Sequence, residues 1–120
     1  MAVQDELLAQ AVSDVRRMNV RAEQALSTTD RDDIHLHTQE AIRFGEQARS
    51  HLEEALDSTE EEHLILRAEQ ALDAIEEALD QANMTLFASD AAMREHVEQM
   101  GVSVEQAMAY LNTAAQTESP

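Results

Sequence analysis

The stretch that decides the fold consists of three consecutive heptads: His37-Thr-Gln-Glu-Ala-Ile-Arg, Phe44-Gly-Glu-Gln-Ala-Arg-Ser and His51-Leu-Glu-Glu-Ala-Leu-Asp. We number the positions of each heptad as slots one to seven, so that His37, Phe44 and His51 occupy slot one. On a straight helix, slots one, five, two and six lie at roughly 0°, 40°, 100° and 140° and form one continuous apolar arc. The pattern therefore predicts a helix that buries this arc, with the slot-one histidines at its edge.

The same seven-residue word recurs along most of the chain. Arg-Ala-Glu-Gln-Ala-Leu occurs twice, beginning at Arg21 and at Arg67, and related heptads begin at Leu7, His96 and Ser103. Short polar breaks at 27–30, at 57–59 and around residue 89 separate the blocks of heptads. Such repetition is typical of stacked helices, and four blocks predict four helices.

The breaks contain the Ser, Thr and Asp residues that favour helix N-caps. We expect one domain over about 1–116, with helices at about 4–26, 31–56, 60–87 and 90–115 and a frayed tail at 117–120. Connections this short make successive helices antiparallel neighbours. The sequence therefore predicts an all-α, up-down-up-down four-helix bundle, and the competing arrangement is a pair of helical hairpins exchanged between chains.

Several details of the bundle can be predicted from single residues. Ser58 with Glu61, or Thr59 with Glu62, has the spacing of a capping box before the third helix. Gly45 lies inside the second helix, where we expect a close helix–helix contact to explain it, and Gly101 marks a weak point in an otherwise continuous fourth helix. Six residues are predicted to be buried: Ala41, Ala48, Ala55, Ala71, Ala78 and Leu72.

The charge of the chain limits its partners. The 120 residues include 25 acidic residues, eight arginines and no lysine, which gives a formal net charge of −17. Such a surface repels nucleic acid and anionic membranes and attracts cations. A genome bias or adaptation to high salt would produce the same composition. The chain has no cysteine, which excludes disulfides and thiolate metal sites, and no apolar run long enough for membrane insertion.

Histidines paired with carboxylates are the candidate metal ligands. His37 with Glu40, and His51 with Glu54, lie three residues apart on one helix face, as do Glu60 and His63. Imidazole and carboxylate together suit Cu, Ni or Zn. Reflecting the second and third helices about their turn places His63 level with Glu54.

The sequence therefore predicts a metal site formed by His51, Glu54 and His63. Binding there should weaken in acid, because a proton competes with the ion for imidazole nitrogen. The next turn places His96 level with Gln81, and a second layer of His35, His37, His96 and Glu23 follows. The competing interpretation is that these histidines are solvated residues on the rim of an acidic bundle.

Enzymatic activity has little support in the sequence. The chain contains no nucleophile–base arrangement and no phosphate-binding loop. Glu60-x-x-His63 matches one half of a di-iron carboxylate site, which needs two such motifs and two further glutamates. We therefore expect a protein that is not an enzyme.

The heptads that begin at His37 and His51 resemble those of the small metal-binding protein family. These are periplasmic four-helix proteins built on His-x-x-Glu-Ala-(Ile/Leu)-x, and they bind several divalent ions and ferric ion, copper among them. The resemblance implies metal binding and a periplasmic location; without it, we expect a cytoplasmic protein. No signal peptide precedes Val3, but a mature exported protein that begins with a new Met1 would look the same. The family places histidine in most slot-one positions. Here slot one keeps only three histidines, which implies a reduced metal capacity: they are His37, His51 and His96, while Phe44, Arg67, Ala74 and Gln81 occupy other slot-one positions.

The first functional hypothesis is a non-enzymatic bundle that binds or buffers divalent transition-metal ions. Its candidate ligands are His37, Glu40, His51, Glu54, His63 and His96. The alternative is an acidic structural or protein-interaction bundle with no specific metal, either natural or derived from a designed repeat. Any protein partner is unknown, and the chain is expected to be a monomer or a dimer.

The net charge yields a first testable prediction. Because like charges repel one another across a compact bundle, we expect the melting temperature to rise between low salt and about 0.15 M salt, where the Debye length is about 8 Å. Thermal unfolding followed by circular dichroism in NaCl would measure this. A melting temperature that stays constant or falls over this range would contradict it.

Overall fold

A computed structural model describes the chain over residues 3–116, with the side chains of residues 6–114. Four helices occupy most of this range: α1 spans Val3–Leu26, α2 Arg31–Ser58, α3 Glu62–Phe87 and α4 Asp90–Gln116. The part of the chain described contains no strand. The predicted helix ends differ from these by at most two residues. The tail predicted at 117–120 lies outside the described residues.

The helices form a closed ring of neighbours. The main contacts join α1 with α2, α2 with α3, α3 with α4, and α4 with α1, and the closest-packed pairs are α1 with α2 and α3 with α4. The bundle measures 47 × 21 × 19 Å. This arrangement confirms the predicted all-α, up-down-up-down four-helix bundle. Over the residues described, none of the helices combines the length and apolarity that a membrane span requires.

Slots two and five of the heptad form the centre of the core. The slot-five residues of all four helices are at most 2% exposed, and they are Ala11, Met18, Ala25, Ala41, Ala48, Ala55, Ala71, Ala78, Thr85, Met100 and Ala107. Slot-two residues such as Val15, Leu52, Ile75 and Val104 are buried with them. Alternating steps of three and four residues keep these two slots on one stripe of each helix, as in other antiparallel bundles.

The alanines predicted to be buried are therefore confirmed as core residues. The prediction for Leu72 was wrong, because this residue was expected to be buried and is only half-buried. It occupies slot six, which lies at the edge of the apolar arc. A residue at the edge packs against the core with one side and faces solvent with the other.

Slots one and six, at the two edges of the apolar arc, form contacts between different pairs of helices. Slot-one residues face one another within the α1–α2 and α3–α4 hairpins, as in the contacts of Arg21 with His37 and of Gln81 with His96. Slot-six residues meet where the hairpins join: Ile42 and Leu79 line a cleft between α2 and α3. We call these contacts the slot-one seams and the slot-six seams. Each hairpin is thus closed by slot one, and the two hairpins are joined through slot six.

The observed helix caps agree with the predicted ones at the turn between α1 and α2 and differ from them at the turn between α2 and α3. Asp30 caps α2, since its Oδ1 accepts hydrogen bonds from the backbone N–H groups of residues 32 and 33. Neither predicted capping box forms before α3. Ser58 still belongs to α2 and its hydroxyl donates to the carbonyl of Glu54, while the Thr59 hydroxyl accepts from the backbone N–H of Glu61. Both hydroxyls are therefore used in the turn, and α3 begins two residues later than expected.

The two glycines have different surroundings. A Cβ atom added to Gly45 would lie 2.8 Å from Leu79 Cδ2 and 2.9 Å from Met18 Cε, so this slot-two glycine allows α2 to approach both neighbours, as predicted. A Cβ atom added to Gly101 would have Leu26 Cδ1 as its nearest neighbour, at 4.0 Å. The α4 helix continues through Gly101 without a break, as predicted. Close packing therefore explains Gly45 but not Gly101.

This contrast yields a second prediction. Replacing a glycine inside a helix with alanine stabilises the helix by about 0.8–1.0 kcal/mol. We expect Gly101→Ala to increase the free energy of unfolding by about this amount. We expect Gly45→Ala to gain less or to lose stability, because overpacking a core costs about 1–3 kcal/mol. Urea unfolding of the two variants measures the difference, and equal effects at the two positions would contradict the assigned packing.

Candidate metal-binding residues

The histidines at slot one form hydrogen bonds across the seams inside each hairpin. The three interhelical pairs are Arg21 with His37, Asp14 with His51, and Gln81 with His96. Between the first two pairs, the ring of Phe44 lies under the guanidinium of Arg17, at 5.9 Å from the ring centroid. Every residue named here except Arg17 occupies slot one. The heptad therefore places each of these histidines opposite slot-one residues of the neighbouring helix.

His51 has the best-defined environment. Its Nδ1 atom lies 2.7 Å from Oδ2 of Asp14, whose side chain is 7% exposed, while the His51 side chain is 29% exposed. A carboxylate can only accept a hydrogen bond, so the Nδ1–H group of His51 donates it. In the neutral imidazole this leaves the lone pair on Nε2. A histidine held in this way by a carboxylate is the usual arrangement of a metal-ligating imidazole.

His96 repeats this arrangement with a neutral partner. Its Nδ1 atom lies 2.9 Å from Oε1 of Gln81. The amide orientation of Gln81 is consistent with a second bond, because its Nε2 group donates to Oε1 of Glu77 at 3.4 Å. The Nδ1–H group of His96 therefore donates to Gln81, and its Nε2 carries the lone pair. The partner has no charge, so it orients the ring without stabilising a bound cation.

At His37 the hydrogen bond runs in the opposite direction, toward the imidazole. Its Nδ1 atom lies 3.0 Å from Nη1 of Arg21. A guanidinium can only donate, so Nδ1 of His37 accepts and the proton of the neutral ring is on Nε2. Glu40, its predicted partner, lies 3.5 Å from Nε of Arg43. Each of the two predicted ligands therefore has an arginine beside it, and this positive charge disfavours a bound cation.

His63 lies apart from the seams, at the start of α3. Its side chain is 52% exposed, and its Nε2 atom lies 3.5 Å from Oε2 of Glu61. Glu54, on the last turns of α2, is exposed. Among the described residues, no three His, Asp or Glu side chains lie close enough together to hold one ion.

The structure therefore does not assemble the expected group of His51, Glu54 and His63. The physical reason is that slot one turns His51 toward α1, where Asp14 binds it. The second predicted layer is divided in the same way. His37 lies in the α1–α2 seam and His96 in the α3–α4 seam, while Glu23 accepts a hydrogen bond from Asn19. The individual residues remain predicted ligands, but the described side chains are not grouped as expected.

Sequence reasoning found one of the cross-helix partners and missed another. Reflection about the last turn correctly placed Gln81 level with His96. Asp14 was missed because the predicted partner of His51 was Glu54, three residues away on the same helix, and height matching about the turns did not place Asp14 beside His51. The signal that would have found it is the repeat itself, since Asp14 and His51 both occupy slot one of antiparallel neighbours.

Comparison with known proteins gives no relative. No protein-family model, no curated protein and no solved structure matches this chain. The resemblance to the small metal-binding protein family rests on the quoted heptads, and it stays a prediction.

The bond between Asp14 and His51 yields a third prediction. A hydrogen bond from histidine to a buried carboxylate contributes more than an exposed ion pair, because less water competes for the two groups. In a double-mutant cycle of Asp14→Ala and His51→Ala, we expect a coupling energy of about 1–2 kcal/mol. Urea unfolding of the single and double variants provides the measurement.

The ion pair of Arg31 with Asp90 is a matched control, because it also joins two helices but its side chains are 50% and 82% exposed. For this pair we expect a coupling of about 0.5 kcal/mol or less. Coupling at Asp14–His51 no larger than at Arg31–Asp90 would show that burial adds nothing to the bond.

Proposed function

We propose that this protein is a non-enzymatic helical bundle that binds divalent transition-metal ions weakly, with His51 as its principal ligand. The observation that supports the proposal is the 2.7 Å hydrogen bond from His51 Nδ1 to the buried carboxylate of Asp14. Because the ring nitrogen nearer the helix is occupied, Nε2 is the nitrogen available to an ion. Copper, nickel and zinc are the ions that such an imidazole prefers.

Asp14 acts as a positioning residue for this ligand. Its carboxylate fixes the tautomer and orientation of the ring, and it makes Nε2 a stronger electron donor. Glu54 follows His51 by three residues on α2 and is exposed, so its carboxylate can supply an oxygen atom as the second protein ligand. Water completes the coordination of the ion. Binding is weak, because stable sites use three or four protein ligands.

The other three histidines predicted as ligands rank below His51 for physical reasons. His96 has a free Nε2 atom but a neutral partner in Gln81. His63 has the neighbouring carboxylate of Glu61, on a side chain that solvent competes for. His37 ranks last, because Arg21 donates to it and repels a cation.

The acidic surface supports the same function in a less specific way. With a net charge of −17, the bundle attracts cations from solution and increases their concentration near its surface. This attraction does not distinguish copper from magnesium. Discrimination between ions would come from the imidazoles, which bind copper and nickel in preference to hard cations.

The proposal yields a fourth prediction, for titration calorimetry with Cu²⁺ and with Ni²⁺. His51→Ala should weaken the tightest binding step by about tenfold or more, and Asp14→Asn should weaken it less, because the imidazole remains but loses its charged partner. His37→Ala is the matched control. It removes an imidazole from the same seam, and we expect little change in metal affinity.

Equal losses in His51→Ala and His37→Ala would mean that the hydrogen-bond partners do not decide affinity. Absence of a binding step that depends on any histidine would leave the alternative function, an acidic structural or interaction bundle without a specific metal. A matched titration with Mg²⁺ gives the non-specific component, which should be the same in all variants.

A further inference from the structure

A groove runs along the slot-six seam between α1 and α4, on residues that the metal proposal does not use. Its volume is about 260 Å³. Each wall presents residues at i, i+3, i+4 and i+7, and together the lining residues are Asn19, Ala22, Glu23, Leu26, Glu98, Gly101, Val102 and Glu105. Seven residues of helix extend about 10 Å, so the groove is roughly two turns long.

The groove exists because a side chain is missing from slot six of α4. Elsewhere in the described helices this slot carries a side chain, in most cases a large apolar one: Val12, Asn19, Leu26, Ile42, Arg49, Leu56, Leu72, Leu79, Leu86 and Met108. At Gly101 the nearest atom to an added Cβ is 4.0 Å away, and the backbone has no positive φ angle. Neither packing nor backbone conformation requires glycine here, although it costs about 1 kcal/mol in a helix.

The groove is apolar at its floor and acidic at its rim. Ala22 is 1% exposed at the floor, while Val102 beside Gly101 is 51% exposed. Three carboxylates border it, from Glu23, Glu98 and Glu105. Glu98 is 3.6 Å from Arg94, and the described ion pairs include neither Glu23 nor Glu105. An apolar floor bordered by three carboxylates, of which only Glu98 has an arginine partner, is complementary to an apolar side chain flanked by basic ones.

We propose that this groove binds a basic amphipathic helix of a partner protein. Two antiparallel helices with an open notch accept the ridge of a third helix, whose apolar side chains recur at i, i+3, i+4 and i+7. Leucine-sized side chains of that helix enter the notch at Gly101, and lysines or arginines beside them face the three glutamates. The interaction is an addition to metal binding and uses a different seam.

The negative charge of the bundle also disfavours other ligands in this groove. A second copy of this chain carries the same charge of −17 and the same acidic rim, so the grooves of two copies repel each other. Nucleic acid and anionic lipid surfaces are repelled for the same reason. A basic amphipathic helix is complementary to the groove in both shape and charge.

The test uses a fluorescent peptide of about 14 residues, which forms roughly four helical turns. It carries leucine at the i, i+3, i+4 and i+7 positions and lysine on both flanks, and a peptide of the same composition in scrambled order is the control. Fluorescence anisotropy measures its affinity for the full chain. Amide chemical shifts locate the contact, which we expect at residues 19–26 of α1 and 98–105 of α4.

Two variants of α4 separate the groove from general charge attraction. Gly101→Leu fills the notch and keeps every charge, and we expect the affinity to fall by about tenfold or more. Gln99→Leu is the matched control, because Gln99 is exposed on α4 but does not line the groove, and its affinity should be unchanged. Circular dichroism establishes that both variants are folded.

A third variant tests the acidic rim. Combined replacement of Glu23, Glu98 and Glu105 by glutamine should weaken binding and reduce its dependence on salt.

Four results would overturn the proposal. The first is that the ordered and scrambled peptides bind with equal affinity. The second and third are that Gly101→Leu, or the glutamine variant, binds the ordered peptide as tightly as the unmodified chain does. The fourth is that the chemical shift changes are centred outside α1 and α4. Sedimentation adds a fifth, since a dimer of the unliganded chain that Gly101→Leu dissociates would assign the groove to a second copy.

Discussion

The packing of slots two and five along the bundle axis is the constraint on which the rest of the structure depends. These positions alternate by three and four residues, so each helix must turn the same stripe inward to bury them. The residues in slot five are mainly alanines, which let the helices approach closely and leave little space for adjustment. Once this stripe is buried, slots one and six can only lie at its two edges. Antiparallel order then brings slot one against slot one, and slot six against slot six.

Slot one decides the chemistry of the histidines. A histidine at the edge of the core is partly desolvated, and its ring nitrogens need partners from the neighbouring helix. The partner differs at each level: a guanidinium for His37, a buried carboxylate for His51 and an amide for His96. The three slot-one histidines therefore have two different proton arrangements and three different charge environments. The repeat provides equivalent positions, and the neighbouring helix makes them inequivalent.

Slot six decides how the two hairpins join. Between α2 and α3 the seam contains Ile42 and Leu79, and Gly45 in the adjoining core slot brings the helices together. Between α1 and α4 the corresponding position is Gly101, where an added Cβ atom would meet its nearest neighbour only at 4.0 Å, and a groove is left open. The same residue type thus tightens one part of the bundle and opens another. The difference lies in whether the glycine is in the centre of the core or at its edge.

The amino-acid sequence alone was enough to predict the number of helices, their ends to within two residues, the bundle topology and the buried alanines. It could do so because heptad periodicity indicates a helix, and short polar breaks indicate its ends, from residues that are close together in the chain. It also identified the histidines as rim residues, but it grouped His51 with Glu54 and His63. The hydrogen bond between His51 and Asp14, which lies 37 residues away in the chain, could be identified only from the packed helices. The choice of hydrogen-bond partner depends on the rotation and relative height of two helices, and these are fixed by side-chain packing in the core rather than by spacing along one helix.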